Sequence, residues 1–159
     1  KILKQNISQG LNRDGLIRLS ILLLNLYGTS GYGHANLKYS NTIQKKLIKI
    51  HYGMTFTGGR ITYNRLFNIF NAANDCEFEL ALILSVVRSR NVNKYFKRAD
   101  DFIKFKRNKL LNGYEIQKIL TSDPSEIIGK IQTDLHKRRF LGIIRSKKDA
   151  VHWIISNLT

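Results

Sequence analysis

The sequence predicts an all-α fold: a multi-helix body followed by a small helical tail, with no significant sheet. Apolar residues recur three and four positions apart through most of the chain, which is the spacing of one face of an α-helix. Glycines and polar capping residues interrupt this spacing between the expected helices. The only strand-like stretch, 54–57, is too short to build a sheet. We expect a helical body over residues 1–109 and a helical tail over residues 110–159.

The body begins with an apolar segment that ends at a glycine. Five leucines in it follow helical spacing: Leu16, Leu19, Leu22, Leu23 and Leu26. Gly28 is a suitable C-terminal stop. The apolar run contains Arg18 and Asn25 and is too short to span a bilayer. We therefore expect a buried core helix here.

A basic amphipathic helix is expected next, with Asn41 as its cap. One face of it is apolar and consists of Ile43, Leu47, Ile48 and Ile50. The other face carries three lysines: Lys45, Lys46 and Lys49. Two further helices are expected, one over residues 61–70 and a longer one that Asp75 opens and that runs through Val87.

Residues 92–109 combine aromatic and basic side chains. Phe102, Phe105 and Lys109 fall three or four positions apart, so one helix face is apolar and the other is cationic. Two interpretations stay open at this point. The aromatic residues can form a core under a solvated charged face, or the cationic face can follow a phosphate backbone.

The tail contains two strong helix-start signals. Asp123, Pro124 and Glu126 supply a cap, a proline in the first turn and a glutamate three residues after the cap. Ser146 and Asp149 repeat the arrangement with aspartate in place of glutamate. We expect the two helices to pack through two apolar sets, with Gly129 allowing close approach. These sets are Ile127, Ile131 and Leu135 on the first helix, and Val151, Trp153 and Ile154 on the second.

Charge and cysteine content limit the partners and the compartment. A net charge of +16 on 159 residues attracts polyanions, so nucleic acid is the leading partner, although a genome bias towards lysine codons is an alternative source of the charge. No Asp or Glu lies between Asp14 and Asp75, and the cations of that stretch have no local carboxylate. One cysteine, Cys76, excludes an internal disulfide, which favours a reducing compartment, either the cytoplasm or an organellar matrix.

Catalytic motifs are absent from the sequence. The stretch 58–60 resembles part of the phosphate loop of nucleotidyltransferase heads, but no paired carboxylates follow it. Asp100 and Asp101 are adjacent and would point to different sides of a helix. The four histidines lack metal-ligand spacing, and Cys76 has no recognisable base partner. We expect no catalytic residue, no metal site and no cofactor in this chain.

Three motifs of the tail occur in an order typical of one known family. They are Leu110–Ile116, Asp123–Lys130 and Ser146–Ile154. In this order they resemble the C-terminal end of the tRNA nucleotidyltransferase and bacterial poly(A) polymerase family. The resemblance implies an RNA-holding module, with tRNA as the expected partner. It also implies that nucleotide addition, with Mg²⁺, belongs to a head domain whose signatures have no counterpart in this sequence.

The body resembles the same family more loosely. The segment 19–28 is similar to one that carries a His-Asp pair in some members. Asn25 and Leu26 stand in place of that pair, so the phosphohydrolase activity linked to it is not expected here.

We expect phosphate contacts from fifteen lysines and arginines, which are Lys45, Lys46, Lys49, Arg88, Arg90, Lys104, Arg107, Lys109, Lys130, Lys137, Arg138, Arg139, Arg145, Lys147 and Lys148. Near residue 147, exposed backbone N–H groups of a helix start would add to them. The partner would be tRNA or another structured RNA, together with a separate catalytic head or a ribonucleoprotein assembly, and no membrane. Two alternatives stay open: an enzyme remnant that serves as an RNA-binding scaffold in a ribosome-like assembly, and a helical DNA-binding protein that uses 129–139.

Overall fold

The computed structural model describes residues 2–8, 10–28, 38–88, 92–120 and 125–158. These residues form eight α-helices, one 3₁₀ helix and one pair of very short antiparallel strands. The predicted all-α fold is therefore confirmed. The chain divides into two compact units, Lys1–Asp100 and Asp101–Thr159.

Unit 1 starts with the 3₁₀ helix Ile2–Lys4, the strands β1 (Asn6–Ser8) and β2 (Leu11–Asn12), and helix α1 (Arg13–Tyr27). The Asn12 side chain caps α1 by accepting the Gly15 N–H at 2.9 Å. Gly28 ends the helix with a φ of 64°, as predicted.

The leucines of α1 do not all face the core. Leu16 and Leu23 are buried, whereas Leu22 is 54% exposed and Leu26 is 64% exposed. The buried side of α1 is the one that carries Leu16 and Leu23, and positions 22 and 26 are rotated away from it. The prediction of a helix buried along all five leucines is wrong at these two positions.

Three helices complete the core of unit 1: α2 (Asn41–Thr55), α3 (Tyr63–Ala73) and α4 (Glu77–Val87). Ser40, and not Asn41, caps α2 through its hydroxyl, because Asn41 is already the first helical residue. Ile48 is 54% exposed, so it does not belong to the buried face that was predicted for it. Residues 54 and 55 lie in α2 and not in a strand.

Helix α4 begins two residues later than predicted. Asn74 and Asp75 have positive φ angles of 22° and 73°, which a right-handed helix cannot include. Close packing of α4 on its neighbours depends on Gly53 of α2. A Cβ at that position would lie 2.4 Å from the Leu80 Cδ1 and 3.3 Å from the Ile69 carbonyl oxygen.

Helix α5 (Val92–Arg107) belongs to unit 1 up to Asp100 and to unit 2 beyond it. Unit 2 then contains α6 (Gly113–Leu120), α7 (Ser125–Phe140) and α8 (Lys147–Leu158). Its apolar core consists of Leu111, Ile116, Ile131, Leu135, Ile144, Ala150 and Ile154.

The predicted apolar residues of α7 and α8 lie in one core, but both helices pack mainly against α6 and not against each other. Ile131, Leu135 and Ile154 are core residues, and Trp153 packs against this core while partly buried. Ile127 is 48% exposed, because Ile128 takes the inward position one residue later. A Cβ on Gly129 would meet open space, so this glycine permits no close approach.

Reciprocal caps fix the starts of two helices in unit 2. At α6, the Glu115 N–H donates to the Asn112 side chain, and the Asn112 N–H donates to the Glu115 carboxylate. At α8, Ser146 and Asp149 exchange the same pair of bonds, as predicted. The cap predicted at Asp123 lies outside the described residues.

Candidate nucleic-acid interface

Folding leaves most of the positive charge without a carboxylate partner. Ion pairs among the described residues include Arg13 with Glu79 at 3.4 Å, Arg18 with Asp14 at 2.9 Å, Lys49 with Asp75 at 3.8 Å, and Lys147 with Glu115. The expectation that the stretch after Asp14 has no local neutralisation is therefore wrong for Arg18 and Lys49. The sequence holds 27 Lys and Arg against 11 Asp and Glu, so few carboxylates remain for the other cations.

The last turn of α7 holds two arginines on aromatic rings. The Arg138 guanidinium lies 4.4 Å from the centre of the Trp153 ring, and that of Arg139 lies 4.4 Å from the centre of the Phe105 ring. Arg139 also donates to the Asn108 carbonyl oxygen. An aromatic face orients a guanidinium while leaving its charge in place, so both side chains are positioned cations.

Three lysines in unit 2 have no hydrogen-bonding or ionic partner within the part of the chain that the structure describes. They are Lys130 and Lys137 on α7, and Lys148 in the first turn of α8. Lys130 and Lys137 are seven residues apart, so they share one helix face. Asp134 lies between them on that face, so this surface is basic but mixed.

The start of α8 already carries an acidic side chain. Asp149 accepts the N–H groups of Arg145 at 3.0 Å and Ser146 at 2.9 Å, and these bonds hold the pKa of its carboxyl below the ordinary value. Lys147 is paired with Glu115. The Asp149 carboxylate therefore already places a negative charge at this helix start, which opposes the approach of a phosphate.

The end of α5 contributes cations of two kinds. Lys104 and Arg107 are exposed, whereas the Lys109 Nζ donates to the Gln132 Oε1 at 2.7 Å. The neighbouring His136 Nε2 lies 3.1 Å from the Phe102 carbonyl oxygen, and burial lowers the pKa of this histidine to about 4. His136 is consequently neutral at pH 7 and donates to that oxygen.

The cations predicted in unit 1 lie in separate environments. Lys45 is exposed, and Lys46 approaches the Cys76 Sγ at 4.0 Å. Burial raises the pKa of the Cys76 thiol to about 12, so the thiol is protonated and Lys46 gains no anionic partner there. Arg88 donates to the Thr57 carbonyl oxygen. Arg90 lies outside the described residues.

A basic pocket in unit 1 was not predicted from the sequence. It has a volume of about 510 Å³, and its wall includes Arg60, Arg88, Lys94 and Arg98 together with Tyr63 and Tyr95. Of these, only Arg88 was among the predicted contacts. Two sequence features belong to this pocket: the glycines beside Arg60 and the one-turn spacing of Lys94 and Arg98. Neither feature shows that the loop around Arg60 meets the helix that carries Lys94.

No family model, curated protein or solved structure matches this chain. Across the described ranges, every helix is too short or too polar to cross a membrane. Within the same ranges, no three His, Cys, Asp or Glu side chains come together as a metal site. The arrangement of charge is thus the feature from which a function is inferred.

Proposed function

We propose that this chain binds structured RNA through its phosphates, and that the contact surface includes the α7 and α8 cations of unit 2. This surface, called the α7–α8 face below, consists of Lys130, Lys137, Arg138, Arg139 and Lys148. The observation that carries the proposal is the positive charge that remains unpaired after folding. The family resemblance of the tail motifs adds tRNA as the expected target.

Two features of the α7–α8 face suit phosphate. Arg138 and Arg139 are oriented by aromatic rings, and a guanidinium presents several N–H donors that match phosphate oxygens. The three lysines are long and flexible point charges, which can adapt to phosphates at different positions. Neither feature distinguishes one base from another, so we expect recognition of RNA shape and backbone.

The mechanism requires that binding release counterions from the RNA. Each phosphate that a lysine or arginine neutralises frees about one cation, so the affinity falls as the salt concentration rises. Removing a contacting lysine lowers the affinity for all sequences alike and flattens this salt dependence by about one unit of log-log slope.

The first experiment measures the dissociation constant of tRNA and of an RNA hairpin by fluorescence anisotropy over a series of salt concentrations. The test variant replaces Lys130, Lys137 and Lys148 with Gln. These side chains have no bonding partner in the described part of the chain, so the fold should be retained. We expect the slope to decrease by about 2 to 3 units, with equal effects on both RNAs.

The matched control replaces three exposed lysines outside the predicted contacts: Lys4, Lys38 and Lys97. This control removes the same positive charge from other positions. It therefore distinguishes RNA binding at the α7–α8 face from a general attraction of the basic chain for RNA. We expect the control to keep a slope close to that of the wild type. An equal loss of slope in both triple variants, or an affinity that does not depend on salt, would refute the proposal.

A further inference from the structure

The basic pocket of unit 1 is built from segments that other side chains hold in place. Gly59 has a φ of 67°, a conformation that favours glycine, and the adjacent loop carbonyls of Gly58 and Arg60 accept bonds from Arg65. Arg88 reaches across from the end of α4 to the Thr57 carbonyl oxygen. The wall that carries Arg60 is therefore fixed to α3 and α4.

The charge of the pocket has one sign. Four cations contribute to its wall, and no Asp or Glu is among the lining residues that the structure describes. The Arg98 guanidinium lies 3.9 Å from the centre of the Tyr63 ring, and the Lys94 Nζ lies 6.0 Å from it. The Arg98 hydrogen bond and charge, with a further contribution from the Lys94 charge, lower the pKa of the Tyr63 hydroxyl.

The pocket also offers apolar surface and enough space for an organic group. Ile61, Leu66 and Tyr95 line it in addition to Tyr63. A volume of about 510 Å³ lies within the range of small-molecule sites, which combine apolar walls with a few placed polar groups. A bare inorganic ion would leave most of this space and surface unused.

We propose that this pocket binds the phosphate of a nucleotide, with the cations on the phosphate oxygens and the apolar wall against the nucleoside. The nucleotide is either free or the 5′-phosphorylated end of an RNA strand, because both present the same phosphate and nucleoside. This site belongs to unit 1 and does not depend on the α7–α8 face.

The test is isothermal titration calorimetry of the whole chain with three probes: ADP, a 5′-phosphorylated RNA tetranucleotide, and the same tetranucleotide with a 5′-hydroxyl. The test variant is the double substitution Arg60→Gln and Lys94→Gln, at two exposed positions. We expect saturable binding of a phosphorylated probe by the wild type and at least about a tenfold loss in the variant, since each cation donates charged hydrogen bonds.

The matched control is Lys38→Gln with Lys97→Gln, which removes the same charge from exposed positions outside the pocket and outside the predicted RNA contacts. We expect it to bind within about twofold of the wild type. Binding of ADP assigns the site to a free nucleotide. Binding of the 5′-phosphorylated strand without ADP assigns it to an RNA end, and either result supports the proposal.

Three results would overturn the pocket assignment: no saturable binding of any phosphorylated probe, equal loss in the two double variants, or equal binding of the 5′-hydroxyl strand. The RNA-binding function is tested by tRNA affinity in the α7–α8 lysine variant, which leaves the pocket intact. The pocket proposal and the RNA-binding proposal can therefore fail independently of each other.

Discussion

Arg138 and Arg139 lie against aromatic rings and not against carboxylates, so no ion pair compensates their positive charge within the described residues. Acidic residues near them serve other purposes. Glu115 caps α6 and pairs with Lys147, and Asp149 caps α8. Since each of these carboxylates already accepts hydrogen bonds within unit 2, they leave the end of α7 positive. At the level of single residues, Glu115 and Asp149 therefore stabilise helix ends, and Asp134 is the acidic residue that lies on the proposed contact surface.

The neutral state of His136 leads to a prediction about pH. Its pKa is about 4 in the folded chain and near 6.5 when unfolded, so the unfolded state binds more protons between these values. The contribution of neutral His136 to the stability of the folded state is complete above pH 6.5 and is lost as the pH falls towards 4. We expect the free energy of unfolding of His136→Gln to depend less on pH in this window than that of the wild type.

Denaturant titrations at pH 7, 6 and 5 measure this difference. His152→Gln is the control, because His152 is exposed on α8. The same flattening in both variants would contradict the assignment of the pH dependence to His136.

Helix positions were predictable from the sequence where the signal is local. Gly28 ends α1 and Ser146 caps α8 as predicted, since a cap depends on residues within a few positions of each other. Helix faces were less predictable. The periodicity allowed either Ile127 or Ile128 to point inward, and the contact between Ile128 and α6 decides it.

The candidate site was predictable only in composition. The sequence shows which residues are cationic, but it does not show which of them acquire partners. Lys147 meets Glu115 across 32 positions and Arg139 meets Asn108 across 31 positions. The pocket around Arg60 and Lys94 likewise requires segments that only tertiary packing brings together.

Close helix packing in unit 1 predicts that one added methyl group at Gly53 lowers the stability of the fold. Gly53→Ala places a Cβ against Leu80 and the Ile69 carbonyl oxygen, so the buried Leu80 side chain or α2 itself must shift. We expect a loss of roughly 1–3 kcal/mol in the free energy of unfolding, the usual cost of overpacking. Chemical denaturation, monitored by circular dichroism, measures this loss of stability.

Gly129→Ala is the matched control, because it adds the same methyl group to a helix at a site with open space around it. We expect this variant to be as stable as the wild type or up to about 1 kcal/mol more stable, since alanine favours helix. Equal destabilisation of the two variants would show that the close approach at Gly53 is not the cause.

The whole molecule carries a charge of +16. Cationic side chains that the fold holds in place occur in both units. In unit 2 they are arginines stacked on aromatic rings, and in unit 1 they surround a pocket. The first arrangement suits a repeating phosphate backbone, and the second suits a single phosphate group. We therefore propose different phosphate ligands for the two units of one chain.

The central claim, that RNA lies against the α7–α8 face, can be measured through Trp153. This residue is the only tryptophan of the chain, and Arg138 stacks on its ring. Trp153 fluorescence, excited at a wavelength that RNA does not absorb, is followed while tRNA is added, and iodide quenching is measured with and without tRNA. We expect bound tRNA to shield Trp153 from iodide, and we expect high salt to reverse the effect. Saturating tRNA binding, seen by anisotropy, with no change in Trp153 emission or quenching would contradict it.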